Sequence, residues 1–397
     1  MSRSRLTFTC IVLIALPIVA SACRSLDKPA DGKGVAFQPA RRDFSQERME
    51  QLKVPDGLKV NVFAKLDGEP RMLTTADDGT VYVTRRKNGD VLALRDGNGD
   101  GVADEPRTVV SGLKDVHGIT LHDGKMYLAS PTKLWAAPMK ADGTVGDPKL
   151  LLDDLPEAGR HGNRTMKFGS DGKLYLSVGS SSNAEPEKNP EHATILRLNP
   201  DGTGREIFAR GLRNTIGFGW HPQTGQMWGM DHGSDWRGDT VPPEELNRLQ
   251  EGKDYGWPFV YGDRVVDPIT DGDPPRGLSR QAYAQQTEPA VLTYKAHAAP
   301  MQMAFQAGDG LGADYNGDAF IPMRGSWNRG DPVGYSVARI RFDDSGQPTA
   351  LEPFVTGWLI EDGKAHFARL AGLTIAKDGA ILISDDTNGV IYRIARR

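Results

Sequence analysis

Cysteine is almost missing from this 397-residue chain: it has two, Cys10 and Cys23, both near the start. Everything downstream is therefore without disulfides, cysteine-bound zinc, iron–sulfur clusters or a thiol nucleophile. No CxxCH pair is present to attach haem. The one long apolar run, Cys10 to Val19, is shorter than the roughly 20 residues that a membrane-crossing helix needs. An excess of positive charge is lacking too, since 48 Lys and Arg stand against 52 Asp and Glu for a net charge of -4. That mild acidity argues against nucleic acid as a partner.

Residues 1–22 read as an export signal, with Arg3 and Arg5 ahead of the apolar run and small residues after it. The run ends in Ala20-Ser-Ala-Cys23, which resembles a lipoprotein cleavage site, with ordinary cleavage after the small residues as the alternative. Cys23 is then the expected lipid anchor of a periplasmic protein. Loss of two arginines and no acid takes the charge from -4 to -6. Residues 23–51, polar and mixed in charge, read as a tether, and residues 52–397 as one domain.

What the chain has in plenty is glycine and proline, 46 and 26 residues, among short apolar runs. A turn pair followed by an alternating strand recurs six times: DDGTVYVT from Asp77, HDGKMYLA from His122, SDGKLYLS from Ser170, QTGQMWGM from Gln223, YNGDAFIP from Tyr315 and KDGAILIS from Lys377. Asp-Gly and Asn-Gly tolerate the positive φ of tight hairpin turns, and alternation suits a half-buried strand. The repeats are spaced by 45, 48, 53, 92 and 62 residues, near the 40 to 50 of a propeller blade with inserted loops. The expected fold is all-β, a six-bladed β-propeller, with a sandwich of hairpins as the plainer alternative. Propellers gather loops at one mouth of a central channel, where a site built from several blades is expected.

Three segments carry the chemical signal: Arg160-His-Gly-Asn-Arg164 leading into FGSDGKLYLSVGS, GLRNTIGFGWHP from Gly211, and PPEELNRLQEGKDYGWP from Pro242. In the first, His161 lies between two arginines, whose charge lowers a histidine pKa and leaves a neutral imidazole able to take a proton. A lone histidine before a strand is as readily structural. In the second, Arg213 offers a guanidinium of the kind that binds carboxylates in pairs. A separate run, Asp96-Gly-Asn98-Gly-Asp100-Gly-Val-Ala-Asp104, follows an EF-hand loop at positions 1, 3, 5, 6 and 9, but Arg107 stands at position 12. It reads either as a structural calcium loop or as a solvated hairpin.

From about Val54 to the C-terminus, the order and wording of these segments resemble the soluble glucose/sorbosone dehydrogenase family, whose members use pyrroloquinoline quinone (PQQ). The resemblance implies that His161 is the base that takes a sugar hydroxyl proton, and that Arg213 contacts the cofactor, whose three carboxylates suit arginine. It adds Arg160 and Asn214, the latter ordering the loop, Arg329 in Gly325-Ser-Trp-Asn-Arg329 with Arg324 as its alternative, and Arg369 ahead of LAGLTIAKDG. Arg369 is followed by Leu-Ala-Gly where the family commonly has Pro-Val-Gly. His117, where Pro-Gly is more usual, reads as a turn residue. The turn Asp231-His-Gly-Ser-Asp235 with Glu244-Glu-Leu-Asn247 resembles the family's calcium segment, implying carbonyls of Gly233 and Ser234 as ligands, together with Glu245 and Tyr255. The expected enzyme is a PQQ- and calcium-dependent dehydrogenase of an aldose or sorbosone-like aldehyde. It would pass electrons to a cytochrome or quinone. A calcium-dependent lactonase and a non-catalytic carbohydrate-binding propeller are the alternatives.

Overall fold

The computed structural model describes residues 35–140 and 143–397. The export signal and Cys23 lie outside the described residues. Six four-stranded antiparallel sheets follow one another along the chain, with few helices. The first holds Pro70–Thr75, Val81–Arg85, Asp90–Leu94 and Arg107–Val110, and the next four are built likewise from residues 118–152, 166–210, 217–294 and 304–355. The sixth combines Leu370–Ile375, Ile381–Asp385 and Val390–Arg396 with Leu58–Lys65 from the start of the domain as its outer strand.

Each recurring turn pair joins the first and second strands of one sheet, as between Thr75 and Val81 or between Ile375 and Ile381. Five of the six neighbouring pairs of first strands are in contact, the sixth strand against the first among them. Between the third and fourth sheets the link is a hydrogen bond from Thr165 Oγ1 to the Ile216 carbonyl, 2.7 Å. Such approach needs small residues. A Cβ on Gly372 would lie 2.0 Å from the Arg71 carbonyl of the adjoining sheet. Apolar residues of facing sheets fill the wedges between them, for example Tyr127, Leu134, Leu174 and Leu196 between the second and third.

The 92-residue interval falls in the fourth sheet, whose last strand, Leu292–Tyr294, is reached only after a small hairpin, Val260–Tyr261 with Val265–Val266, and the helix Arg280–Ala284. The segment read as a tether departs from that expectation before Gln51. Ala40–Arg41 pairs in parallel with Ala365–His366, and the short helix Gln46–Glu50 buries Met49 in the core shared by the last two sheets. Its polar composition concealed a docking site made by backbone pairing and one apolar side chain.

Candidate active site

First strands begin, and second strands end, at the face opposite the Asp-Gly turns, and the chemically active side chains collect there. His161 sits in the loop entering the third sheet. Its Nδ1 lies 2.8 Å from Ser180 Oγ, and that hydroxyl donates its own hydrogen to the Ser182 carbonyl at 2.7 Å. The serine can then only accept, so His161 carries its proton on Nδ1 and keeps the Nε2 lone pair open. Burial, and then the charges of Arg213, His232 and Arg160, hold its pKa down at about 2. The neutral imidazole expected from neighbouring arginines is present, with burial as the larger cause. Arg164 is fully buried and fixes this loop by donating to the carbonyls of His161 at 3.0 Å and Pro156 at 2.8 Å. A Cβ on Gly179 would stand 2.6 Å from His161 Cβ and 2.9 Å from Asn214 Oδ1, so glycine there leaves room for both.

Arg213 and Asn214 enter the fourth sheet held by Asp231 at the end of its second strand. The Asp231 carboxylate accepts the backbone N–H groups of Arg213 and Asn214 and the Thr215 hydroxyl, each at 2.8 Å. Burial nevertheless pushes Asp231 up to about 6. The buried Arg213 guanidinium donates to the Asn183 carbonyl, to Asn183 Oδ1 and to Asp235 at 2.9, 2.8 and 2.9 Å. Arg160 reaches the same Asp235 oxygen at 3.1 Å, and Asn328 donates to its other oxygen at 2.7 Å. Burial opposes ionisation of Asp235, but Arg213 and Arg160 bring its pKa below the ordinary value.

Across the face, Asp386 binds both Arg71 and Arg324, the latter at 2.6 Å, while Arg369 donates to the Gly325 carbonyl at 2.8 Å. Arg71 Nη2 lies 3.3 Å from His117 Nε2. A guanidinium only donates, so Nε2 accepts, and Nδ1–H of His117 donates to the Arg164 carbonyl at 3.0 Å. His117 is thus a buried neutral brace between two arginine-bearing segments rather than a turn residue. Arg86, 3.1 Å from Asn163 Oδ1, completes a belt from the first sheet to the His161 loop.

The belt unites His161, Arg160, Arg213, Asn214 and Arg369. Arg329 is held apart, with its guanidinium on the carbonyls of Asp331 at 2.7 Å and Asp239 at 2.8 Å, whereas Arg324 stands beside Asp386. Sequence reasoning missed Arg71, Asp386 and Ser180, and named Asp235 only as the end of the calcium-like turn, not as the partner of Arg213 and Arg160. A signal for Arg71 existed: it precedes its turn glycine, Gly79, by the same eight residues that separate Arg164 from Gly172.

Gly233, Ser234, Glu245 and Tyr255 line one small cavity with Asp231 and Trp257. Gly233 N–H donates to Glu244 at 3.0 Å, and Glu245 accepts from Gly262 N–H at 2.5 Å. The Tyr255 hydroxyl is engaged elsewhere, donating to the Arg248 carbonyl at 2.5 Å. Burial pushes both glutamates up to about 8. Among the described residues no three His, Cys, Asp or Glu side chains form a metal-holding group. The Asp96–Asp104 loop stands elsewhere, in the first sheet, and turns its carboxylates onto its own amides: Asp96 accepts from Gly99, Asp100 and Gly101, and Asp104 from Gly97.

An anionic cofactor with several carboxylates fits this belt. Arg71 and Arg324 share Asp386, Arg160 and Arg213 share Asp235, and Arg369 forms a salt bridge with neither. The buried Arg71 Nε, Arg369 Nε and Asn214 Oδ1 have no hydrogen-bond partner. The family model described as TrAA12-like matches residues 52–397. The chain is 25% identical to the pyrroloquinoline quinone-dependent pyranose dehydrogenase of Coprinopsis cinerea, over 87% of this chain and 55% of that protein. The fold matches the holo form of that enzyme's PQQ domain with a TM-score of 0.74 and 21% identity, covering 91% of this chain and all of the domain. It also matches the calcium structure of the Trichoderma reesei family AA12 enzyme, with a TM-score of 0.76, 21% identity and coverage of 87% and 97%. These similarities define a β-propeller-like fold of the PQQ oxidoreductase class. The chain belongs to the TrAA12-like family, within the soluble PQQ-dependent sugar dehydrogenases.

Proposed function

We propose that the six sheets are the blades of a six-bladed β-propeller whose arginine-belted mouth binds PQQ and oxidises an aldose or a sorbosone-like sugar aldehyde. The observation that carries this reading is a neutral histidine, with Nε2 open, inside a ring of arginines that lack enough counter-charge. PQQ, when bound, supplies the two-electron acceptor. Arg213, Arg369 and Arg324 would hold its carboxylates, with Arg160 nearby. Asn214 Oδ1 is buried and without a hydrogen-bond partner of its own. His161 takes the substrate hydroxyl proton at Nε2 while Ser180 holds the ring through Nδ1. A base with a pKa of about 2 is weak. A bound polyanion would offset the smaller, arginine part of that shift and leave the larger part, which is burial.

Calcium is proposed at the cavity of Gly233, Ser234 and Glu245, where main-chain carbonyls and a carboxylate offer the oxygen ligands that a hard cation needs. Its positive charge there would stabilise negative charge that develops on the substrate or acceptor. Electrons then pass to an external cytochrome or quinone. The proposed setting is the periplasm, with Cys23 as a lipid anchor.

Purified apo-protein titrated with PQQ and calcium, with dye reduction followed across aldoses, sorbosone and alcohols, tests the whole reading. His161→Ala is expected to bind PQQ, read by absorbance titration, but to lose roughly 10²- to 10⁴-fold in turnover. Wild-type turnover in that variant removes His161 as the base, and no PQQ binding by the native chain removes the dehydrogenase. Lactone hydrolysis with calcium alone would move the assignment to a lactonase.

A further inference from the structure

The other end of the circuit of first strands carries a second cleft, separate from the arginine belt. Its walls come from the far ends of the first strands, Thr75, Thr120, Lys167, Trp220, Phe305 and Thr374. Gln302 divides it from the mouth by spanning two inner strands: its Nε2 donates to the Leu73 carbonyl at 2.7 Å, and Oε1 accepts from the N–H groups of Leu73 and Leu373 at 2.9 and 3.1 Å.

Among the described residues, Lys167 is the only charged side chain on this lining, which holds no Asp or Glu. The ammonium group makes one hydrogen bond, to the Met303 carbonyl at 2.9 Å. Three donors and a full charge therefore meet a single neutral acceptor. Burial pushes the Lys167 pKa down to about 8, with no nearby carboxylate to oppose it. The same lining carries the hydroxyls of Thr75 and Thr374, 3.0 Å apart, with Thr74, Thr120 and Gln302 among its aliphatic and aromatic residues. A lysine left without a counter-ion in a concave cleft of mixed polar and apolar wall, with Trp220 and Phe305 on its lining, is a site for an anion that brings its own apolar body. One cation and no second arginine or lysine suit a single negative charge rather than a phosphate dianion.

We propose that this far cleft binds a small monocarboxylate with a flat apolar body, its carboxylate on Lys167 and its body between Trp220 and Phe305. Nothing in this assignment depends on the quinone cofactor or on turnover at the mouth.

The test uses the purified full chain and three probes followed by calorimetry and ligand-observed NMR: benzoate, its neutral counterpart benzyl alcohol, and inorganic phosphate. Benzoate is expected to bind at least tenfold more tightly than either comparator, and Lys167→Met to weaken it at least tenfold. Equal binding of benzyl alcohol, an unchanged affinity in Lys167→Met, or no benzoate binding overturns the site. Phosphate binding as tight as benzoate overturns the flat-bodied ligand class. A measurement on the native chain covers a variant that fails to fold: acetylation of amines at pH 8, mapped by mass spectrometry. Benzoate should slow Lys167 modification at least fivefold and leave exposed Lys149 unchanged. Equal rates with and without benzoate overturn the proposal.

Discussion

Two acid-rich segments of this molecule invite the same reading and differ in almost every physical respect. The Asp96–Asp104 loop spaces its acids like a calcium loop, yet Asp100 and Asp104 are exposed and the carboxylates are spent on amides of the same turn. The Asp231–Glu245 segment has no comparable spacing, yet Asp231, Glu244 and Glu245 are all buried, and Asp231 faces Glu245 across paired strands. In the first, the acids shape their own loop. In the second, they hold other elements: Asp231 fixes the Arg213 turn, and Glu244 joins Gly233 to Ala299 through accepted N–H bonds of 3.0 and 2.8 Å. The second arrangement, whose carboxylates are buried away from water, is the one able to gain from a ligand.

Asp231→Ala should break the buried half of the comparison most severely. It strands two backbone donors and the Thr215 hydroxyl in the interior, each worth about 1–3 kcal/mol when left unpaired, so a loss of roughly 3 kcal/mol or more is expected in urea unfolding. Because the same donors orient Arg213 and Asn214, PQQ affinity should fall with stability. Asp231→Asn, which keeps an acceptor oxygen, should lose less of both. Equal stability of Asp231→Ala and the wild type would show that water replaces the carboxylate.

A smaller effect is expected from pH. Glu244 and Glu245 are held near 8 in the fold against an ordinary 4.5, so the folded state keeps their protons while the unfolded state releases them. The unfolded chain therefore binds fewer protons between about 4.5 and 8, and stability falls as pH rises through that window, by at most about 1.4 kcal/mol per unit for each group. His161 and His232, pushed down to about 2 and about 4, act in the opposite sense: their contribution is present above an ordinary 6.5 and is lost as pH falls. In chelator, thermal midpoints should thus pass through a maximum, and Glu245→Gln should flatten the alkaline limb. Calcium, which needs the deprotonated carboxylate, should raise the midpoint more at pH 8 than at pH 5. An alkaline limb unchanged by Glu245→Gln would assign it to other groups.

How much was legible beforehand follows the range of the interaction that decides each feature. The turn pairs, four Asp-Gly, one Asn-Gly and one Thr-Gly, are local, and all six fall between first and second strands as the alternation after them predicts. Closure of the sixth sheet by Leu58–Lys65 is not local: it pairs Leu58 with Arg396 from the far end of the chain, and no turn marks it. The same division runs through the site. His161 and Arg213 stand in distinctive wording, whereas Asp386 and Arg71 become partners only when the last sheet meets the first. Ser180 shows least of all, because its role depends on where its single hydrogen goes.

The smallest expected effect lies in the exposed loop, and it sharpens the contrast from the other side. Asp104→Ala removes one acceptor, from Gly97 N–H at 3.0 Å, in a place where water reaches the freed amide. A surface change of this kind costs within about 0.5 kcal/mol, so the unfolding midpoint should scarcely move. The more telling measurement is the calcium-induced shift in that midpoint. If the loop's carboxylates serve only their own turn, Asp104→Ala and wild type respond to calcium alike, while Glu245→Gln responds less. A calcium response lost in Asp104→Ala and kept in Glu245→Gln would reverse the comparison, because the loop's self-bonding would then be the resting form of a metal site and the buried glutamate a purely structural acid.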